Sequence, residues 1–265
     1  MKTCDMPEID LEENAYGHRK RVEWIVAQLK KTDRIVELGC GTGIMITRTL
    51  CKLGYDARGV DLDETSVEFG QKQFELEGLD PHRLQTIDLA DSGLEADVIV
   101  ASEVLEHIRD DHQTAVFEAI DRVLRPGGLL LVTVPNGYGW FEFDRFLYFD
   151  AGLGWLIERS RLLALIHRFQ RACGITSMDS PPSTLADSPH VQWFTRRKIR
   201  NLLRRFDYRI EQEGQTVLFS GPMSNLLITG WRPLMFFNRI LGDLFPWFAA
   251  GFLLVCRKEP SEDGS

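Results

Sequence analysis

Three glycines at alternate positions are the residues of this sequence with the clearest chemical use. Gly39, Gly41 and Gly43 end the segment RIVELGCGTG, residues 34–43, whose first half has the pattern of a short buried strand. Glycine tolerates positive φ and lets the backbone pass close to a ligand. A helix that begins after such a run also offers free N–H groups. The segment therefore predicts a small-molecule site at a strand-to-helix turn.

Two other glycine motifs do not fit this segment. A dinucleotide-binding loop has the pattern GxGxxG, and Ile44 or Ile46 stands where its third glycine would be. A phosphate-binding P-loop requires GK followed by Ser or Thr, and this sequence has no such run after its glycines. A nicotinamide-dependent oxidoreductase therefore stays as a disfavoured alternative.

Polar residues also follow three further apolar segments. Asp61 comes after an apolar run that ends at Val60, Asp88 follows a third run, and Ser102 follows the run ADVIVA. A carboxylate at the end of the second strand can accept hydrogen bonds from both hydroxyls of a ribose. Asp91 competes with Asp88 for the role of the third acidic residue.

Glu103, Glu106 and His107 form a cluster directly after the fourth apolar run. In a helical turn, Glu103 would share a face with the other two through i,i+3 and i,i+4 spacing. Such a set could hold a divalent cation, but an acidic turn without metal is the favoured interpretation. His107 is a candidate general base, because imidazole titrates near neutral pH. His190 is a second candidate for a base or a substrate contact, with a helix-capping loop histidine as the alternative.

Alternating strand and helix patterns must position these residues. Short strand-like segments, several of them apolar runs, predict strands at residues 34–38, 57–60, 83–87, 96–101, 129–134, 208–213 and 252–256. Helical periodicity predicts helices at residues 16–29, 44–53, 64–77, 110–124 and 195–206. This alternation indicates an α/β fold with a parallel sheet that is covered on both faces. Ligands bind beyond the carboxyl ends of such strands, and the candidate residues converge there.

Two apolar insertions interrupt this pattern. The first, residues 137–189, is rich in aromatic side chains and ends in a proline-serine loop, and the second covers residues 218–248. Both leave and rejoin the sheet near the site edge, so we expect them to form a cap. The predicted organisation is an N-terminal segment and helix (1–32), a core (33–136), a cap insertion (137–189), the rest of the core with the second insertion (190–258) and a tail (259–265).

The order of these landmarks resembles the class I S-adenosylmethionine-dependent methyltransferases, with some likeness to quinone-pathway O-methyltransferases. The likeness rests on ExGxGxG after the first strand, on Asp61 and Asp88-Leu89, on ASEVLEH at residues 101–107 and on RPGG at residues 125–128. It is strong over residues 33–136 and limited to the layout over residues 190–257. It implies a Rossmann-like, seven-stranded, mostly parallel sheet with helices on both faces and cap insertions after strands five and six.

The resemblance also implies a cofactor, S-adenosyl-L-methionine, and a set of residues that contact it. Glu37 would lie near the amino-acid end of the cofactor, Asp61 at its ribose and Asp88 at its adenine amino group. The full expected set is Glu37, Gly39, Cys40, Gly41, Gly43, Asp61, Leu62, Asp88, Leu89 and Ser102. The implied activity is methyl transfer to a small or lipid-like acceptor. We expect oxygen rather than carbon or nitrogen as the attacking atom, because the aromatic insertions suggest an apolar pocket. A cofactor-binding regulator or scaffold without catalysis is the alternative, which the undamaged glycine loop disfavours.

Charge and cysteine content bear on partners and compartment. The 265 residues carry a formal charge of −8, which argues against a nucleic-acid partner. Five cysteines without metal-ligand spacing fit a reducing cytoplasm. The acidic N-terminus does not resemble a signal peptide, and the apolar run at residues 244–256 is shorter than the roughly 20 residues of a membrane span. We therefore expect a cytoplasmic protein.

A basic helix leaves one question of partners open. Residues 195–209 contain six arginines and one lysine beside an apolar stripe. A solvated outer face is the favoured interpretation. The alternatives are nucleic acid and, with help from apolar residues at 231–248, peripheral docking on anionic lipid. The pattern predicts no particular oligomeric state.

Overall fold

Seven strands form one mixed sheet in the computed structural model, which describes residues 9–11, 13–160, 162–173 and 191–258. Their order across the sheet is β3-β2-β1-β4-β5-β7-β6. All neighbouring pairs up to β5 are parallel, and β7 is antiparallel to both β5 and β6. The predicted Rossmann-like, mostly parallel seven-stranded fold is therefore confirmed. The strands are β1 (Arg34–Leu38), β2 (Asp56–Asp61), β3 (Leu84–Thr86), β4 (Ala96–Ser102), β5 (Leu124–Pro135), β6 (Tyr208–Gln215) and β7 (Gly251–Lys258).

Helices cover both faces of this sheet. Side chains of a strand alternate between its two faces, and in β4 Val98 and Val100 belong to one buried cluster while Ile99 belongs to another. The first cluster includes residues of α1 and α2, and the second includes residues of α4 and α8. The central strands contain apolar runs, such as residues 98–101 of β4 and 129–132 of β5, because both of their faces are buried. The core helices are α1 (His18–Val26), α2 (Thr47–Lys52), α3 (Glu64–Leu76), α4 (Gln113–Val123) and α8 (Arg196–Arg205).

The segment LRPGG, residues 124–128, lies within β5 rather than before it. Leu124 pairs with Ala96, and the next pair joins Leu129 to Val98, so the residues between them bulge out of the ladder. Gly127 supplies the positive φ of 77° at this bulge. The predicted strand at residues 129–134 therefore begins too late, because the chain pairs on both sides of the bulge.

Both apolar insertions contain helices, which the sequence did not predict. After β5 the chain forms α5 (Trp140–Arg145), a π-helical turn (Phe146–Asp150), α6 (Leu153–Arg159) and α7 (Leu162–Ala172). The second insertion forms α9 (Pro222–Ile228) and α10 (Arg232–Leu244). In α10 the large apolar side chains are exposed while Asn238 and Gly242 are buried, so its pattern is not that of a helix with an apolar face toward the core.

Hydrogen bonds join the two insertions to each other. The buried Asp144 carboxylate of α5 accepts bonds from the backbone N–H groups of Met223 and Ser224, both 2.8 Å long, at the start of α9. The Gln170 side chain of α7 donates a bond of 2.8 Å to the carbonyl of Leu226. These contacts make one helical layer from two segments that are distant in sequence.

The long apolar run near the end of the chain is divided between two environments. Leu244 is the last residue of α10, whereas residues 251–256 lie in β7 and are buried between β5 and β6. Within the described part of the chain, no helix combines the length and the apolar character needed to cross a bilayer.

Candidate functional site

The glycine loop between β1 and α2 brings the backbone to open space at the carboxyl end of the sheet. Gly39, Gly41 and Gly43 have φ values of 65°, 52° and 64°, which residues with a side chain rarely adopt. A Cβ at Gly39 or Gly43 would clash with Val104 or Leu84, whereas a Cβ at Gly41 would meet no atom within 4 Å. Gly41 is therefore the position of this loop at which a ligand can approach the backbone.

Two glycines outside the loop hold it against its neighbours. A Cβ at Gly59 of β2 would lie 2.7 Å from the Cβ of Cys40, and a Cβ at Gly70 of α3 would overlap the carbonyl oxygen of Thr42. Cys40 is buried, and its backbone N–H donates a hydrogen bond of 3.1 Å to the Val60 carbonyl. The sequence analysis missed both glycines, although a single glycine inside a strand or helix pattern is a known sign of close backbone approach.

The Glu37 carboxylate holds the helix that follows the loop. Its Oε2 accepts hydrogen bonds from the backbone N–H and the hydroxyl of Thr47, the first residue of α2, at 2.9 and 2.5 Å. Burial raises the pKa of Glu37 to about 7, although the two bonds from Thr47 favour the ionised form. Glu37 therefore fixes the start of α2. Its contact with the amino-acid end of a cofactor stays a prediction.

Asp61 connects the glycine loop to the start of α3. Its Oδ2 accepts a hydrogen bond of 2.6 Å from the Gly41 N–H, and its Oδ1 accepts one of 2.9 Å from the Asp63 N–H. A carboxylate has about four lone-pair sites, so Asp61 can accept further hydrogen bonds. Leu62 beside it is 73% exposed. An anionic acceptor thus lies beside Gly41. The contacts of Asp61 with a ribose and of Leu62 with the cofactor stay predictions.

Asp88 and Leu89 lie in the turn after β3. Asp88 is exposed and precedes a short 3-10 helix at residues 89–91. Its Oδ1 accepts a hydrogen bond of 2.8 Å from the Ala90 N–H in that helix. Leu89 is buried in the core. Asp91, the competing acidic residue, is exposed at the end of the same turn. The contact of Asp88 with adenine stays a prediction.

A chain of polar contacts begins at the carboxyl end of β4. The Ser102 and Thr133 hydroxyl oxygens lie 2.8 Å apart, and the Thr133 hydroxyl donates a bond of 2.8 Å to Glu103 Oε1. Glu103 Oε2 lies 3.3 Å from a guanidinium nitrogen of Arg21. Glu103 has a φ of 56°, a left-handed conformation that costs a residue with a side chain roughly 1–3 kcal/mol. Such strained residues concentrate at functional sites.

The expected helical turn at Glu103, Glu106 and His107 is wrong in part. A 3-10 turn includes only residues 105–107, and Glu103 is excluded because its backbone is left-handed. Glu106 is 1% exposed, and no described residue donates a hydrogen bond to either of its carboxylate oxygens. Burial and the nearby Glu103 carboxylate raise the pKa of Glu106 well above its usual range, and Arg21 opposes them. The ring Nε2 of His107 lies 3.9 Å from Glu106 Oε1.

Arg21 and His18 of α1 are residues that the sequence analysis missed. Arg21 is 8% exposed and pairs with Glu103, as described above. His18 lies one turn earlier, and burial together with the Arg21 charge lowers its pKa to about 3. Arg21 stands four positions before Ile25, on the apolar side of the predicted helix, and a cation at such a position is a signal that could have been used.

Two further predictions concern His190 and a metal. His190 lies outside the described residues. Across the described ranges, no group of three or more His, Cys, Asp or Glu side chains is arranged to hold a metal ion. The two carboxylates considered for a metal, Glu103 and Glu106, have different surroundings. Glu103 contacts Thr133 and Arg21, whereas the side chain of Glu106 is buried.

S-adenosylmethionine-dependent enzymes are among the solved structures that share this fold. A methyltransferase of Methanosarcina mazei has a TM-score of 0.56 and 16% identity, with 90% of this chain and 98% of that chain covered. The magnesium protoporphyrin IX methyltransferase of Synechocystis, solved with bound S-adenosylhomocysteine, has a TM-score of 0.52 and 16% identity, with 91% and 81% covered. At such low identity these similarities establish the fold alone.

Sequence comparison gives a relative and a family. A ubiquinone biosynthesis O-methyltransferase of Mesorhizobium japonicum is 36% identical over 107 residues, which are 39% of this chain and 41% of that protein. The alignment thus spans less than half the length of this curated relative. A model of the methyltransferase domain matches residues 12–213. The chain belongs to this methyltransferase family, and its fold is that of the class I S-adenosylmethionine-dependent enzymes.

Proposed function

We propose that this protein transfers the methyl group of S-adenosylmethionine to an oxygen atom of a small, apolar or lipid-like acceptor. The observation that carries the proposal is the position of Asp61. Its carboxylate bonds to the Gly41 N–H at 2.6 Å beside the open side of the glycine loop. That arrangement provides a hydrogen-bond acceptor for a ribose next to backbone that a ligand can reach closely.

The cofactor site of this proposal combines the loop with three neighbouring strand ends. The contact set proposed for it is unchanged from the sequence: Glu37, Gly39, Cys40, Gly41, Gly43, Asp61, Leu62, Asp88, Leu89 and Ser102. When bound, S-adenosylmethionine supplies a sulfonium-activated methyl group. The protein has to align the acceptor with that group and exclude water from it. Glu37 contributes indirectly, because its bonds to Thr47 fix the start of α2.

The polar residues after β4 form the proposed acceptor side. His107 is our first candidate for the group that takes the acceptor's hydroxyl proton, and His190 is the second. Glu106 is a further polar group of this side, because its enclosed carboxylate oxygen Oε1 lies 3.9 Å from Nε2 of the His107 ring. Arg21 would act as a positioning residue through its ion pair with Glu103.

The apolar character of the proposed acceptor rests on the two insertions. Asn136, at the carboxyl end of β5, donates hydrogen bonds of 2.9 and 3.0 Å to the carbonyls of Trp247 and Ala249. The Trp140 ring packs edge-on against Phe219 with 4.8 Å between ring centroids. The first contact joins the second insertion to the carboxyl end of β5, and the second packs aromatic rings of the two insertions together. This supports an apolar pocket wall.

Oxygen as the attacking atom is supported by the relatives. The printed name of the Mesorhizobium japonicum relative specifies O-methylation in ubiquinone biosynthesis. A hydroxyl attached to an apolar ring or chain is the acceptor group that we propose by extension. Peripheral contact with a membrane would give such an acceptor access to the site, and it forms part of the proposal.

A methyl-transfer assay tests the proposed reaction. The purified protein is incubated with methyl-labelled S-adenosylmethionine and with three long-chain acceptors: a catechol, an amine and a carboxylic acid. We expect mass spectrometry to find the label as an O-methyl ether of the catechol. Label on the amine or on a carbon atom, or no transfer to any acceptor, would contradict the proposal.

The same assay tests the base. Loss of a general base lowers turnover by roughly 10²–10⁴-fold, so we expect a reduction of that size for His107→Ala. His112→Ala is the matched control, because His112 is an exposed histidine five positions later in the chain. Equal turnover of the two variants would remove His107 from the base role, while methyl transfer itself would stand.

A further inference from the structure

The outward face of α10 consists of large apolar side chains. Pro233, Phe236, Phe237, Ile240 and Leu244 follow i, i+3, i+4, i+7 and i+11 spacing, which places them on one side of a helix. All five are exposed, and the exposed fractions of Phe236, Phe237 and Leu244 are 61%, 58% and 63%. An exposed apolar face of this length is unusual on a soluble monomer and marks an interaction site.

The opposite face of α10 already has its partners. Met235, Asn238 and Gly242 are buried, and the Asn238 side chain exchanges hydrogen bonds of 2.7 Å with the backbone of Phe219. Of the three charged residues of the helix, Arg239 and Asp243 form ion pairs with the N-terminal region, while Arg232 and Asp243 are exposed. Arg239 pairs with Glu13 and Glu23 of the N-terminal region, and Asp243 pairs with Lys20 at 2.8 Å. The contacts that hold α10 in the fold therefore leave its apolar face to solvent.

The turn after α10 extends this apolar face along the chain. Phe245, Trp247 and Phe248 are exposed, and the exposed fraction of Trp247 is 73%. Tryptophan and phenylalanine are characteristic of surfaces that lie in the interface between water and lipid. Residues 233–248 thus present a continuous set of aromatic and aliphatic side chains.

Helix α7 adjoins the start of α10 and adds positive charge. The Phe169 ring of α7 lies 5.9 Å from the Trp231 ring, measured between centroids. Leu162, Leu165 and Phe169 form an exposed apolar stripe, and the exposed Arg168 and Arg171 flank it. Residues 159–173 contain four arginines and one histidine but no Asp or Glu. This local charge is opposite in sign to the formal charge of −8 of the whole chain.

The basic helix α8 does not combine these features. Its apolar residues Ile199, Leu202 and Leu203 are buried in the core, and its exposed side chains are polar. Arg200 pairs with Glu213 of β6 at 2.6 Å. The idea that the basic stretch at residues 195–209 docks on lipid therefore lacks an apolar surface on the same helix, whereas α7 carries both components.

We propose that residues 233–248 and the exposed stripe of α7 dock on the surface of an anionic lipid bilayer. The proposal deepens the membrane contact of the proposed function, and it names the surface and the charge of the lipid. An interfacial helix inserts its apolar face to the depth of the acyl boundary and keeps Arg near the headgroups. Each basic residue close to an anionic surface adds attraction that salt weakens.

Charge favours a bilayer over a second copy of the chain as the occupant. In a two-fold dimer both copies use the same patch, so one interface would contain the arginine-rich stretch of α7 twice. Like charges brought together in this way oppose association. An anionic bilayer, in contrast, complements both the apolar face and its basic flank.

Vesicle co-sedimentation of the full chain tests the proposal. Vesicles of phosphatidylcholine alone are compared with vesicles that also contain phosphatidylglycerol. We expect wild type to bind the anionic vesicles at least tenfold more strongly, with binding that weakens as salt is added. The double variant Phe236→Gln/Phe237→Gln should lose at least tenfold in partitioning, and Arg168→Gln/Arg171→Gln should lose several-fold together with most of the salt dependence.

Matched controls separate this surface from general stickiness. Phe69→Gln/Leu76→Gln removes exposed apolar residues from α3, and Arg204→Gln/Arg205→Gln removes exposed arginines from α8. Both should partition within twofold of wild type. Brominated phospholipid should quench the tryptophan fluorescence of wild type, which tests the contact without a variant. In a second step, Trp247→Phe should abolish most of that quenching.

Several outcomes would overturn the proposal. The first is that wild type does not bind anionic vesicles. The second is that the control variants lose as much binding as the test variants. The third is that light scattering detects a dimer of wild type and that Phe236→Gln/Phe237→Gln dissociates this dimer. Affinity for S-adenosylhomocysteine is measured on the same samples. Vesicle binding without cofactor affinity would leave the docking surface standing and remove the methyltransferase proposal, and the reverse result would do the opposite.

Discussion

The Glu37 carboxyl shows how one residue can serve both the fold and the site. It is buried, its pKa is raised to about 7 by burial, and its two hydrogen bonds go to the first residue of α2. The folded protein therefore binds this proton more tightly than the unfolded chain does. The contribution of Glu37 to stability is fully present below pH 4.5, its ordinary pKa, and is lost as the pH rises through about 7.

Replacement of Glu37 by glutamine should remove this pH dependence. Gln keeps an acceptor for Thr47 but does not ionise, so the free energy of unfolding of Glu37→Gln should rise relative to wild type between pH 4.5 and about 7. A rise in pKa from 4.5 to about 7 corresponds to a change of about 3 kcal/mol in the free energy of unfolding. Urea unfolding without cofactor at pH 5, 6, 7 and 8 measures the effect. Glu68→Gln, which changes an exposed carboxylate of α3, is the control, and a difference that is independent of pH would contradict the account.

The residue types at the site could be predicted from the sequence, but most of their partners could not. The positions of Gly41 and Asp61 follow from motif spacing, and the fold brings them into direct contact. The partnership of Glu103 with Arg21 could not be predicted in the same way. Those residues are 82 positions apart, and their ion pair depends on how α1 packs over β4. Long-range side-chain contacts leave no local pattern in a single sequence.

At the scale of elements, α3 is shaped to meet the glycine loop. Gly70 occupies the middle of this helix, and a Cβ there would overlap the carbonyl oxygen of Thr42. A glycine inside a helix normally costs about 1 kcal/mol relative to alanine. The sequence retains it here because the backbone of the loop needs the space.

The variant Gly70→Ala should therefore destabilise the protein, although alanine has the higher helix propensity. On propensity alone it would stabilise the protein, but the added methyl group has to displace the loop, and we expect a loss of about 1–3 kcal/mol in the free energy of unfolding. The affinity for S-adenosylhomocysteine should fall at least tenfold. Lys72→Ala, on an exposed position of the same helix, is the control and should change neither quantity appreciably. Stabilisation by Gly70→Ala with unchanged affinity would show that the loop does not depend on this contact.

Strands were predictable where burial on both faces requires a run of apolar residues, as at residues 98–101 of β4 and 129–132 of β5. Helices of the core were predictable where one face is apolar, as in α4. The helices of the two insertions were not, because α10 is apolar on its exposed face while it buries Asn238 and Gly242. That inverted pattern is itself the basis of the proposed docking surface, since a helix with its apolar face outward needs a partner that is not water.

At the scale of the whole molecule, one sheet edge connects the cofactor site, the acceptor residues and the helical layer. The glycine loop, Asp61 and Glu103 follow the carboxyl ends of parallel strands. Asn136 fastens the second insertion to the end of β5. The predicted boundaries of the core and of its two cap insertions stay a prediction. We expect this division because the parallel sheet would bind the cofactor at its carboxyl edge, while the insertions would form the acceptor site there.

Titration calorimetry with S-adenosylhomocysteine tests the central claim most directly. Wild type should bind one molecule per chain. Asp61→Asn keeps an acceptor for the Gly41 N–H but loses the charge, and hydrogen bonds to a charged group contribute about 1.5–3 kcal/mol each, so its affinity should fall roughly 10- to 100-fold. Asp56→Asn is the matched control, because Asp56 begins the same strand and pairs with Arg83 at the opposite edge of the sheet. It should bind within twofold of wild type, whereas a wild type that does not bind, or an Asp61→Asn variant that binds like wild type, would contradict the account.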